Sequence, residues 1–361
     1  MITYWVNQRD RYTIDAYLAT RGEPIASRFQ VRPYESLESS LTLAGSALVF
    51  AALDQLTPRG RAVIRDLWDA VGRAAPGWRR LNDPGRVLLR GPLLEALASA
   101  GLNDFRAWPA SGPWDDARYP VFIRESDRHS GPLTALLDSP AAARRALRAL
   151  RVRGYRPAEL LVVEYLHTAD ERQRFRKYSA YRVGPAIVRT HLMIGHAWSV
   201  KSDTDEAGIE AAQEAAEYLA GDLHEEWLQR VFDLSGADFG RIDYGVAAGR
   251  PQAWEINLNP TMSRRPGQPR KAVAPEVQAI RDASRAGAHA RLRAAFLALD
   301  TSTDQETMRV ALPPELLRGA AAESRAAARR QAATEALRRV FHSAALGRPV
   351  RALYDRFFPR A

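Results

Sequence analysis

"GRIDYGVAAGRPQAWEINLNP", residues 240–260, is the stretch on which the reading of this chain turns. "RIDYGVA" and "QAWEINL" are rich in β-branched and aromatic residues, and "AGRP" between them is turn chemistry. The stretch predicts a β-hairpin with a loop of three or four residues. Residues two apart share a strand face, so Glu255 and Asn257 point the same way. Folding about Ala248 and Gly249 sets Asp243 opposite Trp254 or Glu255, depending on register. Two carboxylates facing each other across a strand pair repel. A hard divalent cation bound by oxygen ligands is the natural group to place between them.

The 361 residues allow two or three domains with real cores, and 46% hydrophobic with 26% charged residues is ordinary for a globular protein. The absence of Cys excludes disulfides, thiolate metal sites and a cysteine nucleophile, and makes a reducing cytoplasm the default expectation. "MITYWVNQRDRY" lacks a basic region followed by an apolar one, so no signal peptide is expected. The longest apolar run, "LTLAGSALVFAAL", has 13 residues and is too short to span a bilayer. The net charge of +10 is uneven: from Arg270 onward 17 Lys+Arg stand against 9 Asp+Glu, a net of +8. The preceding residues hold 35 basic and 33 acidic side chains, a net of only +2. Lys occurs at 177, 201 and 271 alone, so an Arg here can occupy a place where relatives carry Lys.

The first hundred residues alternate strand and helix signals. "MITYWV" and the apolar run "SALVFAAL" read as strands, "RYTIDAYLATRG" and "TPRGRAVIRDLWDAVGRA" as helices, which predicts a small α/β domain with a parallel sheet over 1–107. "RGPLLEALASAGL" is a helix ending at Gly101. A middle region, 108–265 with lobes 108–170 and 171–265, holds the strands "YPVFIR" and "ELLVVEYL" and the helix "PAAARRALRALRVRG". It continues with two or three strands in "KYSAYRVGPAIVRTHLMIGHAWSVK", then one long amphipathic helix with apolar residues at 216, 219, 223, 228, 231 and 232. "PGQPRKAVAP", 266–275, reads as a linker, and the remainder of 266–361 as a basic, Ala/Arg-rich helical extension. Its helices are expected to cap the core or make a homo-oligomer contact. Few aromatic residues stand among its arginines, which argues against nucleic-acid stacking.

Neither a G-x-G-x-x-G nor a G-x-x-x-x-G-K-[ST] motif occurs, "HEEWL" lacks the second His of a zinc-protease helix, and no G-x-S-x-G elbow is present. "FGRIDYGVAAGRPQAWEINLNP" resembles the metal-binding hairpin of the ATP-grasp superfamily, in its D-alanine–D-alanine-ligase-like and RimK-like branches, where G-R-x-D is followed by E-x-N-x-x-P. The resemblance covers roughly residues 1–262 and implies an α/β (α+β) ATP-grasp fold: a parallel N-terminal domain, a two-lobed ATP-binding region, and here a C-terminal helical extension. It puts Asp243, Glu255 and Asn257 at metal-ligand positions for two Mg²⁺ ions, and Arg241 at an arginine that steadies the charged reaction centre. "YPVFIRES" resembles the strand that supplies a phosphate-binding lysine, here Arg124. "ESDRHSGP", with His129, stands at the phosphate-covering loop but has one glycine rather than several. "ELLVVEYL" resembles the adenine-holding hinge, which implicates Glu164 and Leu166, and Glu171 falls on a ribose-binding acid. Arg90 stands where another phosphate-binding lysine is usual, and Lys201 is a third candidate phosphate contact. Replacing Lys by Arg keeps the charge and turns a point donor into a planar fork.

The resemblance implies an ATP- and Mg-dependent ligase that converts a carboxylate to an acyl phosphate and joins it to an amine or similar nucleophile. Two alternatives stand beside it: a kinase of the same fold acting on a hydroxyl compound, and a nucleic-acid or acidic-surface binder driven by the C-terminal charge. Each side chain also has a plainer reading. Asp243, Glu255 and Asn257 fit a solvated hairpin face, Arg90 and Arg124 surface arginines, Glu164 a structural pair, and His191 and His196 structural strand residues.

Overall fold

The computed structural model describes residues 1–128, 131–200, 208–263, 272–300 and 307–342, with side chains of the last helix as far as 336. The chain divides into two compact units: residues 1–88 with 167–321, and 89–166 with the later part of the last helix.

In the first unit, β1 (Ile2–Val6) leads through α1 (Tyr12–Leu18) to β2 (Phe29–Pro33), then β3 (Ser40–Ala44) and β4 (Ala47–Phe50). Next come α2 (Pro58–Ala74) and β5 (Arg79–Leu81). The sheet order is β2-β1-β4-β5, parallel throughout, as the alternating signals predict. β1 and β4 are buried along their whole length, which is why they read as unbroken apolar runs. Thr57 caps α2 by accepting from Gly60 N at 3.2 Å.

The second unit contains α3 (Arg90–Ser99), β6 (Ala107–Pro109), β7 (Val121–Glu125), α4 (Pro140–Val152) and β8 (Leu160–Glu164). Its antiparallel sheet has the order β6-β8-β7. Val121, Ile123 and Val162 pack on Leu147, Leu150 and Trp114. Arg124, with the opposite strand parity, lies on the other face.

The chain then returns to the first unit with β9 (Phe175–Val183), β10 (Ala186–Gly195), α5 (Ile209–Ala220), α6 (Glu225–Ser235), β11 (Phe239–Ala247) and β12 (Arg250–Asn257). These strands form an antiparallel sheet ordered β10-β9-β11-β12. Last come α7 (Pro275–Leu297), β13 (Thr307–Ala311) and α8 (Pro314–His342).

Three expectations change here. The long helix is two, because the chain turns at Gly221 and His224 takes a left-handed φ of 61°; Leu223, expected on its apolar stripe, is 46% exposed. The hairpin loop is two residues, Ala248 and Gly249, at φ 48° and 76°, the pair of positive values that matches the twist of the flanking strands. The C-terminal region is not wholly helical, since β13 pairs antiparallel with β3. The expected linker overlaps residues 264–271, which lie outside the described residues.

Helix α7 is part of the core of its unit. Leu292 and Phe296 join Tyr4, Val49, Tyr181 and Phe239 between the parallel and antiparallel sheets, with Phe239 edge-on to Tyr4 at 5.6 Å. Beside this contact lies Asn82, fully buried at a left-handed φ of 68°. Its Nδ2 donates to the carbonyls of Phe50 and Phe239, and its Oδ1 accepts from Asp238 N and Phe239 N at 3.0 and 2.9 Å. Four main-chain groups from β4 and the start of β11 are thus satisfied by one amide. Asn82→Ala leaves them buried without these partners and is expected to cost about 3 kcal/mol in urea unfolding.

His289 on α7 has its pKa lowered to about 4 by burial, then by Arg21, Arg293 and Arg285, and its Nδ1 has no hydrogen-bond partner. The unfolded chain protonates this ring near the ordinary value of about 6.5, before the folded chain does. Stability is therefore lost as pH falls from about 6.5 towards 4. In His289→Gln the fall in Tm over that interval, followed by circular dichroism, should be shallower than in the parent.

Candidate functional site

The hairpin register settles which residue opposes Asp243. Arg241 pairs with Asn257, Ile242 with Ile256, and Asp243 with Glu255; the register then shifts so that Tyr244 meets Ala253. The extra residue is Trp254, a bulge on β12. Gly245 makes room for it: a Cβ there would come within 2.5 Å of the Trp254 ring. Before the bulge, Arg241, Asp243, Glu255 and Asn257 share one face of the strand pair. β9 extends that face, with Tyr181 beside Arg241 and Ser179 beside Asp243, while His191 of β10 pairs with Ser179. The sheet's other face is aromatic: Tyr178 and Tyr244 stack at 5.1 Å and meet Tyr218, His224 and Trp227 of α5 and α6.

Asp243 is the centre of the polar face and is 5% exposed. Arg241 grips it with Nε on Oδ1 at 2.9 Å and Nη2 on Oδ2 at 3.2 Å. Ser179 Oγ donates to Oδ1 at 2.8 Å, and Lys177 Nζ stands 3.5 Å from Oδ2. Burial pushes the Asp243 carboxyl up and Glu255 adds to that, yet Arg241 and Lys177 outweigh both and hold it below the usual carboxylate range. The Arg241 guanidinium is held more firmly protonated than usual: burial opposes its charge, and Asp243, Tyr181 and Glu255 together overcome that. Burial raises the Tyr181 phenol to about 12 although Arg241 pulls it down. His191 is held neutral, its pKa lowered to about 3 by burial and then by Arg241, with Lys177 and Arg285 adding to the effect.

The opposed carboxylates therefore already have positive neighbours of the chain's own. The donor set still fits a hard divalent cation. An ionised carboxylate has about four acceptor positions; Ser179 and Arg241 take those of Asp243 Oδ1 and Arg241 one on Oδ2, so the position left on Oδ2 is the one that Lys177 approaches only to 3.5 Å. Asn257 Oδ1 accepts from Asn259 N at 2.9 Å and has a second lone pair. Glu255 faces Asp243 directly. Oxygen donors only, with no thiolate in the chain, suit Mg²⁺ rather than a soft metal. No group of three His, Cys, Asp or Glu side chains that could hold a metal occurs among the described residues; beside Asp243 and Glu255 the further oxygen-bearing side chain on this face is the Asn257 amide.

Asn259 anchors the end of the hairpin to the parallel sheet. Its Oδ1 accepts from Thr13 Oγ1 at 2.8 Å and Tyr4 OH at 3.3 Å, and its Nδ2 donates to Asp10 O at 3.0 Å. Ala52 N donates to Leu258 O beside it.

In the second unit, the structure brings Arg90 and Arg124 to the same end of β7. Arg90, 7% exposed at the start of α3, donates through Nη1 to the carbonyls of Glu125, Ser126 and Arg128 at 3.0, 2.9 and 2.8 Å. That guanidinium holds the chain leaving β7. Glu164, 3% exposed, receives Arg106 N and Arg118 N at 2.9 and 2.8 Å and the Arg118 guanidinium at 2.7 Å. Its carboxylate is engaged within the unit, so any ligand contact at this strand end falls to the main chain around Leu166, which lies just past β8. Glu171, in the first unit, is an exposed turn residue. Lys201 and His129 lie outside the described residues.

Sequence reasoning did not single out Lys177, Ser179 and Tyr181 for the site. Their period-2 spacing on a strand adjoining "GRID" is the signal that could have found them. His191, read as structural, lies on the same polar face.

No family model and no curated protein matches the chain. Among solved structures it is similar to the ATP-grasp ligase PsnB, determined with a phosphomimetic variant of its minimal precursor, Mg and ADP, at 12% identity and TM-score 0.47, covering 83% of this chain and 97% of that one. It is similar to an ATP-grasp RimK domain protein of Sphaerobacter thermophilus at 16% identity and TM-score 0.42, covering 80% and 98%. It is also similar to the D-alanine–D-alanine ligase of Bacillus anthracis at 12% identity and TM-score 0.42, covering 81% and 98%. Likeness at this level assigns no residue, and the chemistry of the site rests on the side chains described above.

Removing one partner of a buried ion pair strands the other charge. Asp243→Asn is therefore expected to lower unfolding stability by about 3 kcal/mol in urea, measured without nucleotide or metal.

Proposed function

We propose that the protein is an ATP-grasp ligase that activates a carboxylate as an acyl phosphate and joins it to an amine or similar nucleophile, with Mg²⁺ and ATP. The observation that carries this reading is the Arg241–Asp243 fork on a half-buried face with Glu255 opposite and Asn257 one step along. Such a face pairs a fixed cation with oxygen donors for a metal, which is what phosphoryl transfer to a carboxylate requires.

In the proposed reaction a carboxylate oxygen attacks the γ-phosphorus of ATP, and the bond from that phosphorus to the bridging oxygen breaks to release ADP. The amine nitrogen then attacks the acyl carbon, loses a proton, and the carbon–oxygen bond breaks to release phosphate. When bound to Asp243, Glu255 and Asn257, Mg²⁺ supplies Lewis-acid neutralisation of the phosphate charge. Arg241 stabilises the oxyanion of the tetrahedral intermediate, and its pairing with Asp243 keeps the guanidinium oriented. Lys177, beside Asp243, adds a second fixed positive charge. Glu171 and Lys201 are proposed as further nucleotide contacts. Within residues 89–166, Arg124 and the main chain near Leu166 are proposed as nucleotide contacts, with Arg90 and Glu164 holding the segments that carry them.

A kinase has no acyl oxyanion to hold, so Arg241 favours ligation over transfer to a hydroxyl. Incubation with Mg-ATP and pools of acids and amines should release inorganic phosphate only when both an acid and an amine are present. A phosphorylated hydroxyl compound without phosphate release would establish the kinase instead. Arg241→Ala should lower kcat by about two to three orders of magnitude while ATP affinity, read by calorimetry, falls much less; equal loss of both would remove the oxyanion role.

A further inference from the structure

Lysine is rare in this chain, filling three of 52 basic positions, and one of the three is Lys177 on the polar face. It lies on β9 two residues before Ser179, and so on the same side of the strand. Ser179 pairs with Asp243, which makes Lys177 the diagonal neighbour of that carboxylate and within reach for a long side chain. Its Nζ stands 3.5 Å from Oδ2, and the side chain is only 19% exposed. Arg241 already covers Asp243 with a planar fork, so a second fork has nothing left to grip. What remains is room for a compact point charge, which an ammonium supplies and a guanidinium does not.

Asp243 has little more to give. Of about four acceptor positions on a carboxylate, Ser179 and Arg241 fill three, and Lys177 stands nearest the fourth. Arg241 and Lys177 also balance the negative charges of Asp243 and Glu255 before any ion arrives. Mg²⁺ requires an octahedral set of oxygens and is bound through one or two carboxylates together with substrate phosphates. Two such ions here would have to share a carboxylate that is largely engaged, and one of them would meet the fixed charge of Lys177.

Resting on the ligase reading, we propose that the Lys177 ammonium takes the place of one of the two Mg²⁺ ions that the sequence resemblance implies. Asp243, Glu255 and Asn257 then hold a single ion, and Lys177 supplies the other positive charge against the phosphates of the nucleotide. The metal requirement of the site is thereby set by a residue outside the ligand set.

The full chain is titrated with Mn²⁺, which is paramagnetic and takes the same oxygen ligands as Mg²⁺, in the presence of a non-hydrolysable ATP analogue. Bound Mn²⁺ is counted by electron paramagnetic resonance, and analogue affinity is read by calorimetry. The parent should bind one ion per bound analogue, and further free Mn²⁺ should leave the affinity unchanged. Lys177→Met should bind the analogue about tenfold more weakly at one ion per analogue. It should recover as free Mn²⁺ rises, with two ions then bound. Ser179→Ala, which loosens Asp243 without removing a charge, should stay at one ion, and thermal unfolding checks that both variants fold. Two ions in the parent, a single ion in Lys177→Met at every Mn²⁺ concentration, or a second ion in Ser179→Ala would each overturn the proposal. A parent that binds neither analogue nor Mn²⁺ sinks the ligase reading and this proposal with it. A parent that binds the analogue with two ions leaves that reading standing and sinks only the role of Lys177.

Discussion

A carboxylate and a guanidinium taken out of water together organise this molecule. Burial of Asp243 and Arg241 each carries a desolvation cost of several kcal/mol. Arrangements that return that energy must fix geometry closely. Here the return comes from a two-bond fork, a serine hydroxyl and a lysine within reach. Each of those partners is delivered by strand register: Ser179 and Tyr181 by pairing of β9 with β11, and Glu255 and Asn257 by pairing of β11 with β12. A one-residue slip in either ladder would turn its side chains to the aromatic face and leave the pair exposed to neither water nor partners.

Much of the surrounding structure secures that register. The bulge at Trp254 ends the shared polar face after Asp243, and Gly245 accommodates the displaced indole. Asn82 and Asn259 tie the two ends of the hairpin to the parallel sheet through their amides, Asn82 bridging Phe239 and Phe50 of β4 and Asn259 accepting from Tyr4 of β1. Phe239 and Phe296 fill the space between the sheets. The polar face is therefore supported by rigid elements rather than loops, the condition under which fixed charges can act on a reacting group without first reorganising.

The positive potential on this face is larger than the Arg241–Asp243 pair alone would give. Burial and Arg241 do most to keep His191 neutral, and Lys177 and Arg285 add to their effect. An excess of fixed positive charge next to oxygen donors suits anionic reactants and divalent ions together. It also fits a chain with 52 basic against 42 acidic residues in which the C-terminal arginines are partly drawn into the structure: Arg291 and Arg293 donate to the carbonyls of Leu219 and Arg21.

Local features were legible in the sequence wherever one segment determines them. Thr57 caps α2 with its own hydroxyl, the apolar runs at β1 and β4 become buried parallel strands, and alternation in "WEIN" places Glu255 and Asn257 on a shared face. Segments whose conformation depends on a distant partner were not legible. β13 is a strand because β3 offers it an edge, and the helix over 209–235 breaks at Gly221 and His224 although its apolar spacing continues. Glu164 is a buried clamp rather than an open acid because Arg106 and Arg118, from elsewhere in its unit, converge on it. By itself, then, the sequence determined the strand and helix periodicities, the turn chemistry and the oxygen-rich hairpin, all set by steric and hydrogen-bonding preferences over a few residues. Only the tertiary structure decided the register and the cationic partners of Asp243, because each is made by groups far apart in the chain whose meeting depends on how the sheets and α7 share one core.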